Sequence, residues 1–399
     1  MIGGGSRRQY IFKAGSASIA AIAGCISDDN DDSDIENNGS GTNTWPMFQY
    51  DTRNTGQNPN LTAPSSTVEE EPVFEADGSL MTPVIGNKTA YFGSSAGLLY
   101  AVDTETGTES WYADVDEPIN AVPAVADSTI IVGSGEQYGD AGNVYTFDTS
   151  DGTQRWKYDD GRLASIMAVN DGTAYFGTGE QGEVHAVDVD SGTKEWKFDT
   201  GETIVGAAVS DGMVFFETLP DEGTIYALSA DDGAVEWKSS INTDTRVPTV
   251  GDETVYVSAN SDRFGSDLYA LQASDGTVSW TTSLESRIDS YPVLANDTLY
   301  AAASDTLYAI DTDNGDPIWN YETGREYVNG TYSVGVTDNT VYFILSLEPG
   351  PPEAILYALK PDGTERWTAE LEHGNIFATA PADGKLYLAS SDGTLYKLS

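Results

Sequence analysis

The sequence predicts an all-β fold: an eight-bladed β-propeller of four-stranded antiparallel blades, closed by its N- and C-terminal strands. Three observations predict it. A segment running Leu99-Tyr100-Ala101-Val102-Asp103, then a turn through Gly107, then Trp111 recurs along the chain, with later copies closing at Trp156, Trp196, Trp237, Trp280, Trp319 and Trp367. A spacing of about 40 residues with strand patterning marks a repeat array. Within each copy, short apolar or alternating runs are separated by Asn-Asp-Gly style turns, which is the hairpin signal. The last copy, Thr379 to Ser399, holds three strands and no Trp strand, while a strand-like run at Glu69–Ala76 precedes the first copy. Joining the two completes an eighth blade and leaves the ring no open end.

Residues 165–199 illustrate one blade. Ser165 to Val169 is a short apolar strand for the crowded axis. Thr173 to Gly177 and Val184 to Asp188 alternate, and Lys194-Glu195-Trp196-Lys197-Phe198 forms the outermost strand. The indole covers the seam to a neighbouring blade, and the Gly of the third turn supplies positive φ. The small Ala at Ala101, Ala186, Ala227, Ala270, Ala309 and Ala358 leaves room for a flat ring. First strands start near Met81, Ala121, Ser165, Val205, Arg246, Ser290, Ser333 and Thr379.

The N-terminal fifth divides differently. Residues 1–24 read as an export signal: Arg7-Arg8 in a polar context, then a weakly apolar stretch from Ala14 to Ala23 that is too short to span a bilayer. Cys25, the one cysteine of the chain, follows Ile22-Ala23-Gly24 as in a lipobox and is the expected lipidation site. Residues 25–44 are acidic and rich in Asn, Gly and Ser, a composition for a disordered tether. Residues 45–66, from Trp45-Pro46-Met47-Phe48, regain apolar character and read as an arm packed on the propeller. The propeller itself takes residues 67–399.

The pattern Ala-x-Asp-x-x-x-Gly-x-x-x-Trp resembles the tryptophan-docking motif of the pyrroloquinoline-quinone (PQQ) repeat β-propeller family. It is carried by Ala101, Asp103, Gly107 and Trp111, again by Ala186, Asp188, Gly192 and Trp196, and again by Ala309, Asp311, Gly315 and Trp319. The copy ending at Trp367 is one residue shorter. The resemblance implies the propeller fold and two classes of activity: quinoprotein dehydrogenases, and non-enzymatic lipoproteins such as BamB, the propeller subunit of the bacterial outer-membrane assembly machine. Similarly, Ser6-Arg7-Arg8-Gln9-Tyr10-Ile11-Phe12-Lys13 resembles a twin-arginine signal.

Acidic residues number 64 against 19 basic ones, for a formal net charge of −45, and removing residues 1–24 deletes three cations and no acid. No cationic footprint for nucleic acid exists. Such self-repulsion destabilises a fold at low salt and is screened at molar salt, where the Debye length is about 3 Å. The combination resembles proteins of extremely halophilic archaea.

Chemistry-bearing motifs are few. Asp188-Val189-Asp190-Ser191-Gly192 and Asp311-Thr312-Asp313-Asn314-Gly315 resemble the start of a calcium loop, but Gly comes one position early and strands flank them. His185 stands where the repeat has Tyr, and His373 lies in a loop. The quinoproteins that the resemblance implies use adjacent cysteines, a calcium held by acidic and amide side chains, and a catalytic Asp. With no cysteine beyond Cys25, no catalytic, cofactor-binding or metal residue is expected here, and PQQ with calcium is the disfavoured alternative.

What differs between copies is the face that carries the loops before each first strand. Five of the eight arginines after Cys25 belong to it: Arg162, Arg246, Arg263, Arg287 and Arg325. A ring of guanidinium groups at the channel mouth would hold a carboxylate, a phosphate or an acidic peptide. Local ion pairs with Asp159, Asp160, Asp244, Glu285 and Glu326 are the plainer reading. The expectation is a monomeric, non-enzymatic propeller on the outer face of the cell membrane, held by a lipid on Cys25, that binds a protein or peptide. A quinoprotein oxidoreductase and a small-molecule sensor are the alternatives.

Overall fold

Among the described residues, strand-forming runs broken by glycine and aspartate turns fold into eight antiparallel sheets and no helix. The computed structural model describes residues 44–399 apart from 63, 65, 67, 136–141, 162–166, 179–181, 220–222, 242–243, 246, 262–264, 289, 326–327, 348–353 and 372–375. Blades 1 to 7 are 84–114, 124–161, 167–199, 203–240, 244–284, 293–322 and 328–371, each with its strands hydrogen-bonded in chain order. Blade 8 is made of strands within 376–398 plus Glu70–Glu75, which pairs antiparallel with Thr394–Leu398 from Glu70↔Leu398 to Glu75↔Thr394. Ring closure by strands from both ends, as the sequence predicts, is therefore observed.

The strand positions follow from side-chain pattern. The two central strands of a blade are buried on both faces, as in Thr173–Thr178, whereas outermost strands such as Lys194–Asp199 bury Trp196 between exposed neighbours. In five blades the hairpin between the first two strands puts consecutive residues at positive φ, as at Asp171 and Gly172 or Asp211 and Gly212. Two such residues match the right-handed twist of the flanking strands. Blade 5 departs from the pattern: its first strand is broken into Asp244–Thr245 and Thr249–Val250. Pro248 lies in the break and has no N–H for the ladder.

The Trp residues lock the blades in sequence. Each indole N–H donates to a carbonyl in the third turn of the next blade: Trp111 to Thr149, Trp156 to Val189, Trp196 to Ala230, Trp237 to Ala273, Trp280 to Thr312 and Trp319 to Pro361, at 2.7–3.0 Å. The turn glycine fits beneath the ring. A Cβ at Gly152 would stand 2.6 Å from the Trp111 indole, and Gly192, Gly233, Gly276, Gly315 and Gly363 repeat the relation. These glycines are thus needed for close approach as well as for positive φ. The small Ala lies directly across the strand pair from its own Trp, as in Ala101↔Trp111. Trp367 differs, because its N–H donates to Pro64, in the segment ahead of the closing strand.

Candidate functional site

The innermost strand of each blade has no neighbour on its axial side, so its inward N–H and C=O groups need partners. Residues 45–56 supply them in six blades. Trp45 and Ile85 exchange both backbone bonds, at 2.8 and 2.7 Å. The carbonyl of Pro46 accepts from Val125, that of Thr52 from Val209, and that of Arg53 from Val250. Thr55 and Gly56 accept likewise from Leu294 and Val336, all at 2.7–2.9 Å. In blade 8 the matching residue is Pro381, which has no N–H to satisfy. Two residues earlier, four blades carry Pro83, Pro123, Pro248 and Pro292, which again removes an axial donor.

Side chains of the arm reach further along the axis. Asn54 Nδ2 donates to the carbonyls of Ala207 and Pro248, at 3.1 and 3.2 Å, and Gln49 Nε2 to that of Pro292 at 3.1 Å. Phe48 packs edge-on against Tyr291. Gly56 lies against Val293, where a Cβ would be 2.6 Å from a methyl group. The turn between is held by Asp51, whose carboxylate accepts from the Arg53 and Thr55 amides and from the Thr55 hydroxyl. Burial pushes the Asp51 carboxyl above its usual value, against these hydrogen bonds. Every backbone bond to an innermost strand falls beside its inner hairpin. The arm therefore lies along the axis at the face of the short regular turns.

On the loop face the predicted arginines divide. Cys25, Arg162, Arg246, Arg263 and His373 lie outside the described residues. Arg287 is exposed, just past the outermost strand of blade 5. Arg325 Nε is 3.4 Å from the Tyr357 hydroxyl, and its terminal nitrogen is 3.9 Å from Glu370. Both partners belong to the outer two strands of blade 7. Arg325 thus sits at the rim and adds nothing to a ring at the channel mouth. Three residues past the end of an outermost strand, the chain has not yet crossed back to the axis.

Two buried polar residues complete this half of the disc. His185 is fully buried and stacks on Phe176 at 5.6 Å, as Tyr226 stacks on Phe216. It takes the Tyr position, bridging the Tyr158 hydroxyl at 2.8 Å and Glu183 at 3.1 Å. Glu217, which the sequence reading passed over, is fully buried in the second strand of blade 4. Pairing with Ile225 puts it where blades 1 to 3 have Gly93, Gly133 and Gly177. The available signal was a carboxylate inside the apolar run Val214-Phe215-Phe216-Glu217.

The calcium-like turns are occupied by their own backbone. Asp188 accepts from the Ser191 amide and hydroxyl, and Asp311 from the Asp313 and Asn314 amides. Among the described residues no group of three or more His, Cys, Asp or Glu is placed to hold a metal ion. The one cysteine stands at position 25, so the chain has no adjacent-cysteine pair of the kind the resemblance to quinoproteins implies.

The profile described as outer membrane protein assembly factor BamB matches residues 37–163, 140–242 and 221–350. The chain belongs to that family. BamB from Moraxella catarrhalis is similar in structure, with a TM-score of 0.61 and 17% identity over 84% of this chain and 97% of that one. Quinohemoprotein alcohol dehydrogenase from Comamonas testosteroni reaches 0.66 with 14% identity, over 91% and 81%. The computationally designed Ika8 protein reaches 0.69 with 12%, over 82% and 99%. At such identities the likeness is one of fold. No protein of curated function matches the chain.

Proposed function

We propose that this BamB-family chain is an exported, lipid-anchored propeller on the outer face of the cell membrane that binds a protein or peptide partner. Membership of the BamB family carries the reading. The arm bonded along one end of the axis supports it, because it takes up that end of the central channel and leaves the rims and turns to display. Cys25 after a lipobox-like sequence supports the anchor, and the acidic composition supports a molar-salt habitat. The propeller acts as a monomer: a rigid scaffold that displays irregular loops. Surface assembly and solute capture are the roles that fit such a scaffold.

The test is capture of partners from membranes in molar salt with the native lipoprotein, beside a Cys25→Ala variant. Specific partners together with release of the variant from membranes support the proposal. The likeness to an alcohol dehydrogenase supplies the competing reading. Dye-linked alcohol oxidation that depends on added PQQ and calcium would overturn the scaffold in favour of an oxidoreductase. Saturable binding of a small solute without partner capture would favour a sensor.

A further inference from the structure

Each blade presents its outermost strand as an edge, and exposed edges invite pairing unless charge or proline guards them. Seven of the eight are guarded. Glu109, Lys157, Lys197, Lys238, Glu322, Glu365 and Glu70 each lie on a different outermost strand. The exception is the outermost strand of blade 5, Val278–Leu284, with the sequence Val-Ser-Trp-Thr-Thr-Ser-Leu. It contains neither a charge nor a proline, in a chain of net charge −45. Its one strand partner is Gly265–Gln272, so its outer backbone groups face away from the sheet. Val278 is 42% exposed at its start.

The substitution pattern is specific. Lys157 pairs across from Tyr145, Lys197 from His185 and Lys238 from Tyr226; the equivalent residue opposite Tyr269 is Thr281. Blades 2 to 4 carry lysine at this position, whereas blades 1, 5, 6 and 7 carry Tyr112, Thr281, Asn320 and Thr368; blade 5 alone has no charge elsewhere on the strand to replace it. Acidic residues bracket the uncharged strand: Asp275 in the turn before it and Glu285 just after it, both exposed. A second copy of this chain is a poor occupant. One seven-residue edge against itself falls far short of the roughly 1,200 Å² of a stable interface, and the net charge opposes it.

We propose that the outer edge of Val278–Leu284 is a strand-addition site for an extended segment of a partner protein. The segment has a neutral centre of β-branched and hydroxyl residues, with lysine or arginine at both ends. Main-chain hydrogen bonds supply the pairing, and Asp275 and Glu285 meet the basic ends. This assignment rests on the scaffold reading and names one surface of it.

The probe is a short peptide of alternating threonine and valine with paired lysines at each end, titrated by fluorescence anisotropy into the intact protein in high salt. Binding with slowed amide exchange across 278–284 is expected. Thr281→Lys, a residue the fold already accepts in three other blades, is expected to weaken binding about tenfold with unchanged melting temperature. Absence of binding, or equal binding by Thr281→Lys, overturns the site. Self-association of the free protein that Thr281→Lys abolishes also overturns it, and assigns the edge to a second copy. Partner capture that survives Thr281→Lys sinks the edge alone, whereas failure of all capture sinks the scaffold reading.

Discussion

The indole of Trp111 lies against Gly152 of the next blade, close enough that a single added Cβ would come within 2.6 Å of the ring, while its N–H donates to Thr149. One residue of the outer strand thereby fixes the position of the following blade. Gly152→Ala meets both this ring and a φ of +70°. It is expected to destabilise by about 1–2 kcal/mol or more, and Trp111→Ala by about 3–5 kcal/mol. The double variant is expected to cost less than the sum, since removing the ring relieves the clash that the added Cβ makes. Denaturant unfolding in high salt measures all three, and strict additivity would show that the ring and glycine do not act together.

Asn54 joins blades 4 and 5 at the axis through two carbonyls of their innermost strands. Replacing it with Ala leaves two buried acceptors without that donor, at a cost of about 1–3 kcal/mol. Gly56→Ala, which must displace Val293, is expected to be at least as harmful. Thermal melts of both variants check this; a wild-type melting temperature would mean that the arm is a passive filler.

Acid should weaken the blade turns. The Ser191 hydroxyl and amide hold the Asp188 carboxyl below its usual value, and the Thr106 amide and hydroxyl do the same for Asp103. A depressed folded-state pKa contributes stability that is present above the ordinary carboxylate value. That stability is lost as pH falls through the lower folded value. Stability is therefore expected to fall below about pH 4, and less steeply in Asp188→Asn. The measurement is the denaturation midpoint against pH at constant high salt.

Salt should act in the opposite sense. A net charge of −45 repels itself across the whole disc at low ionic strength. Raising salt from about 0.1 M to 1 M shortens the Debye length from about 10 to 3 Å, so the melting temperature is expected to rise. A flat or falling curve in a chloride salt would contradict a molar-salt habitat.

The blade count and the ring closure were legible because a blade is local. Its hairpins, alternation and Trp lie within about 40 residues, and the incomplete last copy matched the extra strand at Glu70–Glu75. The position of Arg325 was not legible in the same way. Arg325 is near a first strand in sequence, yet the radius at which its side chain emerges depends on where the chain recrosses from rim to axis. Glu217 was hidden because a single carboxylate in an apolar run carries no periodic signal.

By itself the sequence determined the repeating unit, the number of blades and the charge environment, since each follows from local pattern or from composition. Tertiary structure alone decided what the N-terminal arm does. The bonds from Gln49 and Asn54 reach residues 153 to 243 positions away, and their acceptors become neighbours only once the ring has closed. It also decided which outermost strand stands unguarded, because the uncharged run Val278–Leu284 has meaning only once it is placed as an outermost strand beside the charged ones of the other blades.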